Sequence, residues 1–293
     1  MLELPERGII MDRSTRAQLA RETLAILRRG RYSTPNGSTV HIREEQRAAE
    51  LNTILYTPEA LADLQLELSP GARRATQFQV TNEDTLTAAR RLDGQKKPTR
   101  VVCLNFASAK HPGGGFLRGS AAQEESLARS SGLYPCLRRA ADYYNRNRAC
   151  GTALYTDHVI YSPDVPVFRS AAGALLSDPF LASFITAPAV NARVVRKKEP
   201  ANIPRILPVM EQRAEYVLKV AHYHQHTHVV LGAWGCGVFR NEPAEIAAIF
   251  RSLLRGSGVF SGIFAVVLFA VLDGTDRQKT LRTFQQVLGG PPG

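Results

Sequence analysis

Cysteine is scarce in this chain: 293 residues include four, Cys103, Cys136, Cys150 and Cys236, with no CxxC pair and no zinc-ligand spacing. A disulfide scaffold and a cysteine-built zinc site are thereby excluded as patterns, and reduced thiols in a cytosol are expected. Long apolar runs are missing too. The most apolar stretch, Val259 to Leu272 (VFSGIFAVVLFAVL), has 14 residues, short of the ~20 that span a bilayer. It is expected to be a strand buried on both faces. The amino terminus, MLELPERGIIMDRSTR, carries acids and lacks the apolar core of a secretory signal. A cytoplasmic location without a membrane role is the expectation. There is no internal repeat, no Gly-Lys-Ser/Thr of a Walker A loop and no GxGxxG of a dinucleotide fold. Acids are in deficit, 26 against 37 Lys+Arg, for a formal net charge of +11. That excess raises encounter rates with polyanions but does not choose among nucleic acid, an anionic membrane surface and a phosphate-rich polymer. No nucleic-acid recognition motif accompanies it.

What remains is ordinary globular material, 44% hydrophobic and 22% charged, enough for one large core or a core with a smaller appended unit. The texture changes near Arg74. Residues 1–74 read as a charged helical extension. In Arg16-AQLARETLAILRRG the positions Leu19, Thr23, Ile26 and Leu27 fall near helical spacing, with Ser14 as N-cap and Gly30 as C-cap. A turn is expected at Asn36-Gly37, a second helix from Arg43 to Leu55, and a third that starts at Pro58 and ends before Ser69-Pro70-Gly71. Residues 75–288 read as β/α alternation. Strands are expected at Phe78 to Asn82, Arg100 to Ala107, His158 to Ser162, Ser183 to Ala187, His228 to Trp234 and Ile263 to Val271. Helices are expected at Asp84 to Gly94, Gln123 to Asn145 with a break at Gly132 to Pro135, Ile206 to His222 and Pro243 to Leu254. Only the tail Gly289-GPPG reads as disordered. Buried strands joined by helices imply a mixed or parallel sheet covered on both faces, with ligands collecting at the carboxyl ends of strands.

Two glycine-rich loops occupy such ends. Lys110-HPGGGFLRGSAAQEESLARSS follows the strand Val101 to Phe106 and precedes a helix. Gly113, Gly114 and Gly115 permit positive φ and close backbone approach, and N–H groups near a helix start suit a diphosphate. A plain turn would use the same glycines. Glu124 and Glu125, behind Gln123, fall in the first helical turn; they project ~100° apart but can border one pocket. Stabilisation of the helix dipole is the simpler explanation for acids there. The second loop, Leu231-GAWGCGVFRNEP, also follows an apolar strand. Gly232, Gly235 and Gly237 make a second cradle, Phe239 can stack on a sugar or base, and Asn241 is the expected N-cap of the next helix.

Other features carry less. The alternation His222, His224, His226, His228 sits at a helix-to-strand junction with no carboxylate or cysteine beside it, which suits a solvated junction better than a metal site. Cys103 is expected in core packing and Trp234 beneath its loop. The run Arg196-Lys197-Lys198 is a solvated loop or a contact for a polyanion outside the pocket.

The segment from Lys110 to Ser131 resembles the signature of microbial-type poly(ADP-ribose) glycohydrolases, a GGG run followed after a short spacer by Gln-Glu-Glu. Tyr161-SPDVPVFR, Thr186-APAVN, Leu231-GAWGCGVFRNEP and Gln18-LARETLAILRRGRY extend the likeness over nearly the whole chain. The resemblance implies an α/β fold, a three-layer α/β/α macrodomain with a mixed sheet and an N-terminal helical extension. It implies hydrolysis of the ribose–ribose O-glycosidic bonds of poly(ADP-ribose) with release of ADP-ribose, as part of ADP-ribosylation reversal in a DNA damage response. Glu125 would be the general acid/base and Glu124 a ligand of the terminal ribose hydroxyls. Gln123 would fix the loop, and Asn105 would lie near that ribose. Gly113, Gly114, Gly115, Gly235, Cys236, Gly237, Val238 and Phe239 would hold the diphosphate, the last two shaping the ribose pocket. Ser108 stands where many macrodomains have asparagine. Neither cofactor nor metal is implied. The expected partners are poly(ADP-ribose), ADP-ribose and ADP-ribosylated proteins, with a monomer acting and nucleic acid not required. A non-catalytic ADP-ribose reader and a mono-ADP-ribosyl ester hydrolase are the alternatives on the same scaffold.

Overall fold

The computed structural model describes residues 11–66, 73–93 and 100–289. The expected features at Ser69-Pro70-Gly71, at Gly94 and in the tail after Gly289 lie outside these residues. Helix α1 (Arg13–Arg29) opens at Asp12, whose carboxylate accepts the Thr15 N–H at 2.7 Å. Ser14, the expected cap, instead donates its hydroxyl to that carboxylate at 2.9 Å. A charged acceptor satisfies the orphan N–H and also suits the positive end of the helix dipole. Gly30 closes the helix at φ +68, the left-handed cap that glycine adopts without strain. The hairpin β1 (Arg31–Ser33) and β2 (Thr39–His41) turns at Asn36-Gly37, as the sequence predicts.

Helix α2 (Arg43–Leu51) stops before Leu55, which belongs instead to β3 (Ile54–Tyr56), an edge strand of the main sheet. Next come α3 (Pro58–Asp63), β4 (Gln77–Thr81), α4 (Thr85–Asp93) and β5 (Val101–Ala107). Three short helices follow: α5 (Gln123–Ser130), α6 (Leu133–Arg139) and α7 (Ala141–Ala149). The break lies at Ser131-Gly132 and not as far as Pro135, because proline fits the first turn of a helix. Strands β6 (Val159–Arg169) and β7 (Leu175–Pro188) form a long antiparallel pair, of which only the ends nearest the site were expected. Pro163 and Pro166 silence the strand signal there; the ladder shifts register between Ser162 and Val165 to accommodate them. The chain continues through α8 (Ala192–Lys198), α9 (Ile206–Tyr223), β8 (His228–Leu231), α10 (Pro243–Leu254), β9 (Val266–Ala270) and α11 (Lys279–Leu288). Of the apolar stretch Val259 to Leu272, only the β9 residues are strand. Helix α11 is not among the expected helices, although Leu281, Phe284 and Leu288 carry its buried stripe.

The seven-stranded sheet runs β3-β6-β7-β5-β8-β9-β4. The pairs from β7 through β5, β8 and β9 to β4 are parallel, and β6 is antiparallel to both its neighbours. Alternate residues serve opposite cores. Val102, Leu104, Val229, Leu231, Val267 and Phe269 face α3, α8, α9, α10 and α11; Val101, Cys103, Val230, Val266 and Leu268 face α2, α4, α5, α6 and α7. Strands buried on both faces explain the uninterrupted apolar runs of β5, β8 and β9. The expected three-layer α/β/α arrangement with a mixed sheet is therefore present. Within residues 1–74, β3 joins the sheet itself, Ala49 of α2 and Leu61 of α3 belong to its two cores, and the part from α1 to Ile42 packs on by two small clusters. Ile26, Tyr32 and Ile42 meet Phe168 of β6, and Ala20 meets Phe116 and Ala128 beside the first glycine loop. Among the described residues no helix is long and apolar enough to cross a membrane.

Candidate active site

β5 and β8 are neighbours in the sheet and run parallel, so the loops that leave their carboxyl ends lie side by side. The first loop folds on itself. Gly113 and Gly114 take φ +65 and +57, conformations that cost an L residue about 1–2 kcal/mol. The N–H of Gly114 donates to His111 O at 3.0 Å and that of Phe116 to Gly113 O at 3.2 Å. A 3-10 turn over Phe116–Arg118 then leads to α5. Gln123 ties the start of α5 to β5. Its side-chain oxygen accepts the Phe106 N–H at 2.9 Å, and its amide donates to Leu104 O at 2.8 Å and Thr85 Oγ1 at 3.0 Å. With every polar atom of that amide engaged, Gln123 positions the loop.

Both glutamates turn back toward this loop. Glu125 Oε1 accepts the N–H of Gly115 at 2.9 Å. Glu124 Oε2 accepts the N–H of Ser108 at 2.7 Å, and Asn105 Nδ2 lies 3.5 Å from Oε1. A methyl group on Gly114 would collide with Glu125 Oε1 and stand 3.2 Å from Glu124 Oε2. The two carboxyls thus converge over one glycine, and no side chain could replace its hydrogen. Glu124 is buried and Glu125 half-exposed. Burial pushes the Glu124 carboxyl up to about 8 against the pull of the Ser108 N–H. At neutral pH Glu124 keeps its proton. Asn105, fully buried, donates to Thr186 Oγ1 at 3.1 Å, while its Oδ1 has no hydrogen-bond partner among the described residues. A buried acceptor left so costs about 1–3 kcal/mol. Ser108 serves its own turn, its hydroxyl accepting from Lys110 and His111 N–H groups.

The second loop is arranged differently. Gly235 takes φ +74, and a methyl there would stand 2.5 Å from both Ala189 Cβ and Asn241 Nδ2. Asn241, expected as an N-cap, instead clamps the loop by donating to Val190 O at 2.8 Å and Gly235 O at 3.2 Å, while Glu242 occupies the cap position. The N–H groups of Gly237, Val238 and Phe239 donate to no protein acceptor among the described residues, and a methyl on Gly237 would meet nothing within 4 Å. Val238 is 71% exposed. Burial raises the Cys236 thiol to about 12, so its sulfur is no nucleophile. Trp234 is buried beneath the loop, its indole donating to Ala187 O at 3.3 Å.

Five contributors carry no mark in the sequence. Tyr155, at φ +62, brings its ring to 6.2 Å from that of Phe239. The Leu154–Asp157 segment that carries it is fixed by the fully buried Arg213, which bonds Leu154 O, Pro188 O and Asp157 Oδ1 at 2.6–3.0 Å. Arg129, one turn beyond Glu125, donates to Ser120 O at 2.6 Å. From α1, Arg13 and Arg16 donate to Arg118 O at 2.9 Å and Gly119 O at 2.7 Å, at the far side of the first loop. The histidine run lies at the opposite end of β8. His224 stacks on Tyr161 at 3.7 Å and His226 bonds the Tyr161 hydroxyl at 2.9 Å, and burial lowers both imidazoles to about 4.

Comparison with known proteins gives a concordant result. The model of the microbial-type PARG catalytic domain matches residues 20–170. The poly(ADP-ribose) glycohydrolase of Thermomonospora curvata superposes with a TM-score of 0.90 at 47% identity, over 94% of this chain and all of that one. The same enzyme bound to the inhibitor ADP-HPD gives 0.87 at 47% identity, over 94% and 99% of the two chains. The Deinococcus radiodurans poly(ADP-ribose) glycohydrolase in complex with ADP-ribose gives 0.76 at 48%, over 83% and 96%. No curated protein matches the sequence.

Proposed function

This chain belongs to the microbial-type poly(ADP-ribose) glycohydrolases, and from that premise we propose how its residues divide the work. It is a glycoside hydrolase that cleaves the ribose–ribose O-glycosidic bonds of poly(ADP-ribose) and releases ADP-ribose. The observation that carries the residue assignment is the convergence of Glu124 and Glu125 over Gly114, at the carboxyl ends of adjacent parallel strands.

Glu125 is the catalytic acid. It is the half-exposed member of the pair, held by the Gly115 N–H, so a sugar resting on the loop can reach it. As the C1–O bond of the terminal ribose breaks, the Glu125 carboxyl passes its proton to the departing ribose oxygen of the next unit. The sugar becomes oxocarbenium-like. Water then adds to that carbon and returns a proton to Glu125. Glu124 keeps its proton at neutral pH and acts as a ribose ligand able to donate as well as accept. Asn105 completes that contact; its partnerless buried Oδ1 suits a substrate hydroxyl. The diphosphate is held chiefly by the open N–H groups of Gly237, Val238 and Phe239, with Gly235 and Cys236 shaping the strap. Gly113, Gly114 and Gly115 give close approach. Phe239 and Tyr155 wall the terminal ribose.

The test is incubation with purified poly(ADP-ribose), wild type beside Glu125→Gln, with product lengths followed over time. Chain shortening by the wild type and none by the variant is the expected result. Turnover at the normal rate by the variant would remove Glu125 from the role.

A further inference from the structure

We propose that α8 and Arg240 form a cationic rim that holds the diphosphate of the neighbouring ADP-ribose unit, outside the cleavage pocket; this rests on poly(ADP-ribose) being the substrate. Helix α8 buries Ala192 and Val195 and leaves Arg193, Arg196 and Lys197 exposed. Spaced three and four residues apart, those cations share one face, and Lys198 follows at its end. Two hydrogen bonds fasten this face to the tip of the second loop. The Arg193 N–H donates to Phe239 O at 2.8 Å, and the Arg196 guanidinium donates to Arg240 O at 2.7 Å. Arg240, exposed and at φ +60, extends the row from the residue directly after Phe239.

The charges are not neutralised locally. Among the described residues none of these five cations stands in an ion pair within 4 Å. Glu199, the next acid along the chain, is turned to Thr152, the Ala153 N–H and Asn202. Compensation of the helix dipole explains cations in the last turn of α8. It does not explain Arg193, which sits in the first turn where the dipole opposes a cation, or Arg240, which belongs to another segment. Crowded like charges repel one another, so an anion laid across them relieves a standing cost. The substrate supplies one. Every repeat of the polymer carries a diphosphate, and in this proposal the unit beyond the scissile bond leaves the pocket past Phe239. A released ADP-ribose cannot fill pocket and rim together, so the rim favours chain over product.

The experiment compares two substrates with wild type and the double variant Arg193→Glu/Lys197→Glu, neither of whose side chains bonds the loop. One substrate is long poly(ADP-ribose); the other is ADP-ribose with a fluorogenic phenol on its terminal ribose, which has no second diphosphate. For the polymer, KM should rise about tenfold at low salt and depend less steeply on salt. For the phenol the constants should stay within about twofold, as expected for charges outside its contact. The conservative variant Arg193→Lys/Lys197→Arg should restore polymer KM. An unchanged polymer KM overturns the proposal, and so does an equal loss on both substrates, which would mean the loop itself was disturbed. If the double variant loses affinity for a single-stranded oligonucleotide but keeps its polymer KM, the rim is a nucleic-acid surface and the proposal fails. Failure of the wild type to cut either substrate would instead refute the glycohydrolase reading.

Discussion

The two glycine loops spend their backbone differently. In the first, the N–H groups of Gly114, Gly115 and Phe116 go to His111, Glu125 and Gly113, so the loop is closed before any ligand arrives. In the second, three successive N–H groups at Gly237 to Phe239 are open, and the loop is held from behind by Asn241 and Trp234. On the proposed division of work, one loop is a mount for carboxyls and the other a receiver for anions. A self-satisfied loop holds a proton donor in place at no cost during reaction, whereas a phosphate site needs donors with nowhere else to go.

The largest expected effect removes what the first loop mounts. Glu125→Gln keeps the shape and the bond from Gly115 N–H but cannot give a proton. Its kcat should fall about 10³-fold, while the Kd for ADP-ribose, measured calorimetrically, stays within about threefold because the second loop is untouched. A large loss of affinity would show that the carboxyl is a binding group and would blur the division between the loops.

Second in size is a pair of glycine substitutions. Gly114→Ala forces a methyl into Glu125 Oε1 at a left-handed φ. Displacing a catalytic group by about an ångström costs on the order of 100-fold in rate, with about 1–2 kcal/mol of strain lowering Tm. Gly237→Ala meets no atom within 4 Å among the described residues and is not left-handed. Its Tm should match the wild type, and any loss should appear in KM. Equal behaviour of the two variants, by melting and steady-state kinetics, would break the comparison.

This contrast also marks what the sequence could tell. The glycine runs and the Gln-Glu-Glu were legible because each residue type has a local reason to be there, and β5, β8 and β9 were legible because strands buried on both faces are apolar without interruption. Which N–H groups stay open is a product of tertiary folding. Nothing in Leu231-GAWGCGVFRNEP says that Asn241 will turn inward to Val190 and Gly235 and leave the cap to Glu242. Tyr155 and Arg213 reach the site from positions distant in sequence, and Arg16 from another layer. The edge strand β3 is three residues long and follows a helix too closely to show a period of its own. Helix α11 is legible in the spacing of Leu281, Phe284 and Leu288, without being among the expected helices.

A third prediction separates the carboxyls by pH. The Glu124 carboxyl lies at about 8 in the fold, above the ordinary value near 4.3 that it takes in the unfolded chain. The folded state therefore binds the extra proton, and its stabilisation is complete below about pH 4.3 and is lost progressively as pH rises to about 8. Glu124→Gln, which mimics the protonated side chain, should match the wild-type Tm near pH 4 and exceed it increasingly toward pH 8. A constant Tm difference over that range would mean that Glu124 does not hold the proton.

The smallest effect tests whether the first loop is closed by its own bonds alone. Arg16 reaches from α1 to Gly119 O, and Arg129 reaches Ser120 O from inside α5, so the turn before the glutamates is gripped from two layers. Arg16→Met keeps most of the buried stem and deletes the donor. The variant loses the hydrogen bonds to Gly119 O and Met11 O, each of about 0.5–1.5 kcal/mol. Its kcat should fall about three- to tenfold through a less well held Glu125, with KM for polymer nearly unchanged and Tm lowered by a few degrees at most. Arg16→Lys should recover part of the loss. Were KM to rise with kcat constant, the extension would act on binding instead, and the mount would be complete without α1.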